Sequence, residues 1–267
     1  MADLRNYTYG CEHELSDVDR NTKLPDGCYW DDQEQDIVNS DGRAIQPRSK
    51  TYTIGGEINT RPTDTPEGQA VLFREALSIL PNATINHRAH LHCHISYPEL
   101  KESLEDQKRI LTYVVNNSQY MLDSIFSPTK HPSMNTKAWK YQIADRTIMQ
   151  DWKYKFCMES DTTREFKESH QKVKDGRILP QTTKRYAINL FSIHKHGTIE
   201  MRCLFPTMKP VQVCDSLKFL RDFMNHALSE DQKPLESWVD WSNYNLPKEL
   251  PYNHEIELGW QETNTKV

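Results

Sequence analysis

The sequence predicts an α+β fold in which helices pack on one face of an antiparallel β-sheet and the opposite face carries a functional site. Three observations support this. Several short segments alternate apolar and polar residues with period two, as strands with one buried and one polar face do. Amphipathic helical stretches with their own capping signals stand between them. The polar faces of the strands carry carboxylates, imidazoles and arginines, groups that bind cations and anions.

The clearest segment is Ala89 to Ser96, A-H-L-H-C-H-I-S. Successive side chains of a strand point to opposite faces, so His90, His92 and His94 share one face and Ala89, Leu91, Cys93 and Ile95 the other. The rest of the chain is read around it. Tyr7 to Leu15 is the first strand, with Glu12 and Glu14 on one face and Cys11, His13 and Leu15 on the other. Asn21 to Lys50, dense in Asp, Gly, Pro and Ser, reads as loop with one short hairpin at Ser40-Asp41-Gly42. Thr51 to Arg61 is a second strand that puts Glu57, Asn59 and Arg61 on one side, and its Gly55-Gly56 pair marks a bulge or a close backbone approach. Thr65 caps a helix that has Pro66 at its first position and runs to Leu80.

After the histidine strand, Ser96-Tyr97-Pro98-Glu99 has the form of a capping box, and apolar residues at 100, 104, 111, 114, 115, 121 and 125 predict an amphipathic helix to about Ile125. Pro128 to Arg185 carries 13 Lys/Arg against 7 Asp/Glu, interleaved with Trp139, Tyr141, Trp152, Tyr154, Phe156 and Phe166. Within it Asp161 to Lys174 reads as helix and the remainder as irregular. Arg185 to Ile193 and Thr198 to Phe205 read as an antiparallel pair turning at His194-Lys195-His196-Gly197, with Arg185 and Asn189 on one face of the first and Glu200 and Arg202 on one face of the second. A helix from about Pro210 to Leu228 closes the core, and an aromatic tail follows. The expected organisation is a single domain over residues 1–267, with a basic insertion at about 128–184 and a C-terminal extension at about 229–267.

Composition narrows the function classes. Apolar residues make up 36% and the net charge is −5; the mean hydropathy is −0.80 and the pI about 6.1. An acidic chain of this kind argues against a general binder of phosphate backbones. The N-terminal stretch has no apolar h-region and no apolar run approaches 18 residues, so neither secretion nor membrane insertion is indicated. The six cysteines form no C-x-x-C pair, which leaves zinc-ribbon and thioredoxin readings without support. Cys11, Cys93 and Cys203 fall on apolar strand faces, where a thiol acts as a small hydrophobe, and a reducing cytoplasm is the simplest compartment.

Five strands therefore offer one polar face each: Glu12 and Glu14; Glu57; His90, His92 and His94; Arg185; Glu200 and Arg202. Carboxylates gathered on one surface repel unless cations neutralise them, and an oxygen-rich set with one imidazole suits Mg²⁺ or Mn²⁺ better than a closed zinc site. Arginines beside such cations suit an enzyme that handles ATP phosphates. Neither a Walker A loop nor a G-x-G-x-x-G occurs, so bound ATP would rest on metal ions and sheet arginines.

The ordered set G-C-E-H-E, G-G-E-I-N-T-R-P, H-L-H-C-H-I-S and R-Y-A-I-N-L…G-T-I-E-M-R resembles the amidoligase family of carboxylate–amine ligases, whose catalytic fold is that of glutamine synthetase and gamma-glutamylcysteine synthetase. H-C-H-I-S and I-E-M-R look especially like glutamine synthetase strands, and the resemblance covers most of residues 7 to 228 outside the loop before Lys50 and the basic segment. It implies a glutamine synthetase-like antiparallel sheet. It also implies that Glu12, His92 and Glu200 hold the metal that bridges the ATP phosphates, and that Glu14 and Glu57 hold a second. Arg185 and Arg202 would meet phosphates or a forming acyl phosphate, making Arg185, Arg202 and Glu200 the catalytic set. Ser96, Arg185 and Arg202 would contact the nucleotide. His90 and His94 receive no firm role, and a core or supporting place is the expectation for His90.

The implied reaction is ATP-dependent amide formation through an acyl phosphate, with Mg²⁺ or Mn²⁺, a small-molecule carboxylate and an amine. The basic aromatic segment suggests an anionic, nucleotide-linked substrate under a lid, against the alternatives of a solvated insertion or a subunit contact. No membrane partner is expected, and a homo-oligomer is an open alternative. Two rival readings stand beside it: a metal-dependent hydrolase that activates water at the same Glu/His site, and a non-catalytic nucleic-acid- or partner-binding protein that uses the basic aromatic segment.

Overall fold

The computed structural model describes residues 5–31, 55–85, 89–126, 151–171 and 186–247. Six strands form one open, wholly antiparallel sheet: β1 (Thr8–Leu15), β2 (Cys28–Trp30), β3 (Gly56–Thr60), β4 (Leu91–Ser96), β5 (Ile188–Asn189) and β6 (Ile199–Leu204), in the spatial order β2-β3-β1-β4-β6-β5. Among the described residues the α-helices are α1 (Pro66–Ser78), α2 (Leu104–Phe126), α3 (Asp151–Met158), α4 (Thr163–Gln171), α5 (Ser192–His196), α6 (Pro210–Ala227) and α7 (Leu235–Trp238). Among the described residues no helix is long and apolar enough to cross a membrane.

Alternation decides which side of the sheet is core. Cys11, Leu91, Cys93, Ile95, Ile199, Met201 and Cys203 are buried together with Leu217, Leu220 and Phe223 of α6. α6 packs on β4, and α1 and α2 pack against α6. His13, on the same face as Cys11, stacks flat on Phe73 of α1, with ring centroids 3.8 Å apart and planes 4° apart. It is a core histidine. All six cysteines are buried and free.

The helix starts follow local chemistry. Thr65 accepts a hydrogen bond from Gly68 N at 3.1 Å, with Pro66 at the first position of α1, as the sequence predicts. The capping box expected at Ser96 does not form. Ser96 ends β4 and its hydroxyl donates to Gly197 O. Residues 98–102 instead turn, with Tyr97 and Leu100 buried, and Ser103 Oγ accepts from Asp106 N at 3.2 Å at the start of α2. Burying Leu100 and bonding Tyr97 Oη to Asp106 Oδ2 at 3.0 Å outweigh a cap at Ser96, seven residues before Ser103.

A second correction concerns the last hairpin. β5 is only two residues long, and Ser192–His196 form the short helix α5 rather than strand and turn. Gly197 ends it with φ +76, donating its N–H to Ser192 O and Ile193 O, the left-handed cap that glycine suits. Ile188 still pairs with Met201, and Asn189 with Glu200. In the basic segment α3 is a helix where irregular chain was expected, and α4 falls within the predicted Asp161 to Lys174. Cys157 and Phe166 are core residues, and Tyr154 Oη lies 3.1 Å from Thr112 Oγ1 of α2. The Gly55-Gly56 pair does mark a close approach: a Cβ on Gly56 would meet the Trp30 ring at 2.9 Å. Past α6, Trp238 stacks on His226 with centroids 4.0 Å apart and donates to Tyr113 Oη at 2.8 Å, tying residues 235–238 to α2 and α6. The hairpin expected at Ser40-Asp41-Gly42 lies outside the described residues.

A buried glutamine joins β1 and the end of β3 to α1. Gln69 Nε2 reaches Tyr9 O at 2.7 Å, Arg61 O at 2.8 Å and Thr63 Oγ1 at 3.1 Å, while its Oε1 accepts from Thr60. Gln69→Leu keeps the volume but removes every hydrogen bond of the Gln69 amide and leaves Arg61 O without this donor, which costs about 1–3 kcal/mol. The expected result is a cooperative unfolding midpoint shifted down with an unchanged denaturant slope; an unshifted midpoint would show that the network adds nothing.

Candidate active site

The sheet register builds the site residue by residue. Glu14 stands directly opposite Glu57 across β1–β3, Glu12 opposite His92 across β1–β4, His94 opposite Glu200 across β4–β6, and Asn189 opposite Glu200 across β5–β6. The β4–β6 ladder slips by one between Leu91 and Cys93, so that Arg202 and Cys203 together face His92. Such bulges re-aim side chains next to functional sites. Here Arg202 stays on the polar face while Cys203 and Leu204 are both buried.

These side chains meet over a cavity of about 420 Å³ lined by Glu12, Glu57, His92, His94, Glu200 and Arg202 among others. His92 Nδ1 lies 2.8 Å from Glu12 Oε2 and 3.7 Å from Glu200 Oε1. His94 Nε2 lies 3.1 Å from Glu12 Oε1, and its Nδ1 lies 3.0 Å from Thr198 Oγ1, which is 2.8 Å from Ser192 Oγ. Arg202 Nη1 donates to Glu200 Oε1, and Asn189 Nδ2 donates to Glu200 Oε2 at 2.7 Å.

Electrostatics couple the three central groups. Burial would raise the Glu12 carboxyl, but hydrogen bonds from His92 and His94 outweigh it and hold the group well below the usual carboxylate range. Burial opposes ionisation of Glu200 as well, yet the charges of His94, Arg202 and His92 lower it. For His92, burial and Arg202 push down, while the hydrogen bond to Glu12 and the charges of Glu12 and Glu200 prevail and raise it to about 9. Burial, with the charge of His92, outweighs the charge of Glu12 and pushes His13 down to about 3.

Two groups have the donor sets of cation sites. One ligand atom each from Glu12, His92 and Glu200 lie within 4.8 Å of one another, and so do those of Glu14, Glu57 and His92. His92 Nε2 is buried and has no hydrogen-bond partner among the described residues, an arrangement that costs free energy unless something binds there. Carboxylate-rich donor sets of this kind fit Mg²⁺ or Mn²⁺.

The structure thus brings Glu12, Glu14, Glu57, His92, Glu200 and Arg202 together, while Arg185 lies outside the described residues. Ser96 is not in this cavity. It lines an adjoining one of about 740 Å³ with Arg5 and Lys101, and the two cavities share Thr8, Tyr9 and His196. His90 is half-buried, its ring 5.7 Å from that of His92, and does not line the main cavity. The described part of the basic segment, residues 151–171, lines neither cavity. Sequence reasoning missed Asn189 as the partner of Glu200, although alternation already put it on the polar face. It also missed Thr198, Ser192, Tyr29 and Asp31; Asp31, which accepts from Asn59 Nδ2 at 2.9 Å, sits in a stretch whose Asp/Gly/Pro content reads only as loop. No protein-family model, curated protein or solved structure matches this chain.

Because His92 is held protonated up to about pH 9 without a cation, a divalent ion that takes an imidazole nitrogen must displace that proton. Mn²⁺ affinity should therefore rise steadily between about pH 6.5 and 9, with proton release on binding. The folded-state value lies above the unfolded 6.5, so the ion pair's stabilisation is full below pH 6.5 and fades as pH rises through about 9. Calorimetry in buffers of different ionisation enthalpy measures the release; pH-independent binding without it would remove His92 from the ligand set.

Proposed function

We propose that this chain is an ATP-dependent carboxylate–amine ligase with a glutamine synthetase-like catalytic fold, acting with Mg²⁺ or Mn²⁺ on a small-molecule carboxylate and an amine. The observation that carries the reading is the convergence of Glu12, Glu14, Glu57, His92 and Glu200 on one face of an antiparallel sheet, with Arg202 bonded to Glu200 at the same cavity. A water-activating hydrolase needs fewer charged groups. Five cation-ligating groups with an arginine suit a reaction in which two anions, a carboxylate and a triphosphate, must be brought together.

Each residue has a task in this reading. Glu12, His92 and Glu200 hold one cation, and Glu14 with Glu57 hold the other. Cations held there would supply screening between the triphosphate and the substrate carboxylate and would offset charge on the phosphoryl group. Arg202, at the cavity wall, meets the phosphoryl oxygens as their charge develops, and Arg185 is the second arginine proposed for that task. The substrate carboxylate attacks the γ-phosphorus to give an acyl phosphate and ADP. The amine nitrogen then attacks the acyl carbon, loses a proton, and expels inorganic phosphate. The adjoining cavity lined by Ser96, Arg5 and Lys101 has the volume and the cationic groups for a nucleoside and its nearer phosphates, and it opens beside the carboxylates through Thr8, Tyr9 and His196.

ATP with Mg²⁺ should raise the melting temperature of the wild-type protein, and a screen of carboxylate and amine pairs should find ADP release that needs both. Glu12→Gln and Glu200→Gln should lose ADP release by 100-fold or more, on the order of the transition-state charge stabilisation such groups supply, while remaining folded. Wild-type turnover in either variant, or metal-dependent hydrolysis indifferent to ATP, would refute the reading.

A further inference from the structure

The residue that most closely governs Glu200 is neither an acid nor a base. Glu200 is 4% exposed, and each of its oxygens has its own partner. Oε1 receives Arg202 and faces His92 Nδ1 at 3.7 Å, while Oε2 receives Asn189 Nδ2 at 2.7 Å. Asn189 is itself 3% exposed. Its amide cannot be turned round: Oδ1 accepts the N–H of Phe191 at 3.0 Å, a backbone donor, so Nδ2 must be the end that meets the carboxylate. The same bond ties β5 to the entry of α5, whose Ser192 leads through Thr198 to His94 and so to the other oxygen of Glu12.

We infer that Asn189 is a positioning residue of the cation centre: by holding Oε2 it fixes the plane of the Glu200 carboxylate and leaves Oε1, the atom beside His92 and Arg202, as the cation ligand. This rests on the reading above that Glu12, His92 and Glu200 hold a divalent ion. The physical need is clear. A carboxylate that rotates about its last bond offers its cation a different oxygen and a different angle, and the neighbouring arginine competes for the same Oε1. A fixed donor on Oε2 removes that freedom before the ion arrives. Partners of this kind change metal affinity by about 10- to 100-fold when removed.

The test is Mn²⁺ titration followed by the paramagnetic resonance of the free ion, on the full chain, for wild type, Asn189→Ala and Asn189→Leu. The leucine variant fills the asparagine's volume without a donor, so it separates loss of packing from loss of the hydrogen bond. The inference predicts Mn²⁺ affinity 10- to 100-fold weaker in both variants, with the circular dichroism of the wild type, and a changed resonance line shape of the bound ion. Wild-type affinity in either folded variant overturns it. Failure of both variants to fold also overturns it, since Asn189 would then be a core residue only. If the wild type itself binds no Mn²⁺, the cation reading falls and takes this inference with it, an outcome distinct from wild-type binding that Asn189 variants retain.

Discussion

The antiparallel register of β1 and β4 is the constraint on which the rest of the molecule depends. It sets Glu12 against His92 on one face and Cys11 against Cys93 on the other, so one alignment decides both the site and the core. A slip of β4 by one residue against β1 would turn His92 into the helices and Cys93 into the cavity. The neighbouring ladders repeat the logic, with Glu14 against Glu57 and His94 against Glu200.

The two faces have opposite energetic roles. Each large apolar side chain buried in the core contributes about 1.5–3 kcal/mol, and Phe205, Phe219 and Phe223 are fully buried there. The polar face costs free energy. Like charges within 4.8 Å of one another repel by about 3 kcal/mol or more at an effective dielectric near 20. His92, His94 and Arg202 neutralise part of that, which is why Glu12 and Glu200 both stay ionised despite burial. A helix-backed core thus sustains a charged surface that would not hold together alone, an expense that structures keep where charge has a use.

Much of this is legible in the sequence. Period-two alternation placed Glu12, Glu14, Glu57, His92, Glu200 and Arg202 on polar faces, because a sheet buried on one side imposes that pattern on every strand. Where local chemistry competed with packing, the local reading failed. Ser96-Tyr97-Pro98-Glu99 has the letters of a cap, but Ser96 is spent on Gly197 O and Ser103 does the capping. His194 to Gly197 looks like a turn, yet the left-handed Gly197 closes a helix. The basic segment gave no hint that Cys157 and Phe166 belong to the core, since a charge surplus conceals a few buried residues. The pairing of Asn189 with Glu200 needed the register, which no single strand contains.

The central claim is that the carboxylates of the polar face exist to hold divalent cations under a triphosphate. The most direct measurement is anomalous scattering from crystals grown with Mn²⁺ and a non-hydrolysable ATP analogue. The account predicts one anomalous peak bounded by Glu12, His92 and Glu200, a second beside Glu14 and Glu57, and the analogue's phosphates against the first. Peaks elsewhere, or a site in which Glu12 remains bonded to both histidines with no metal present, would contradict it.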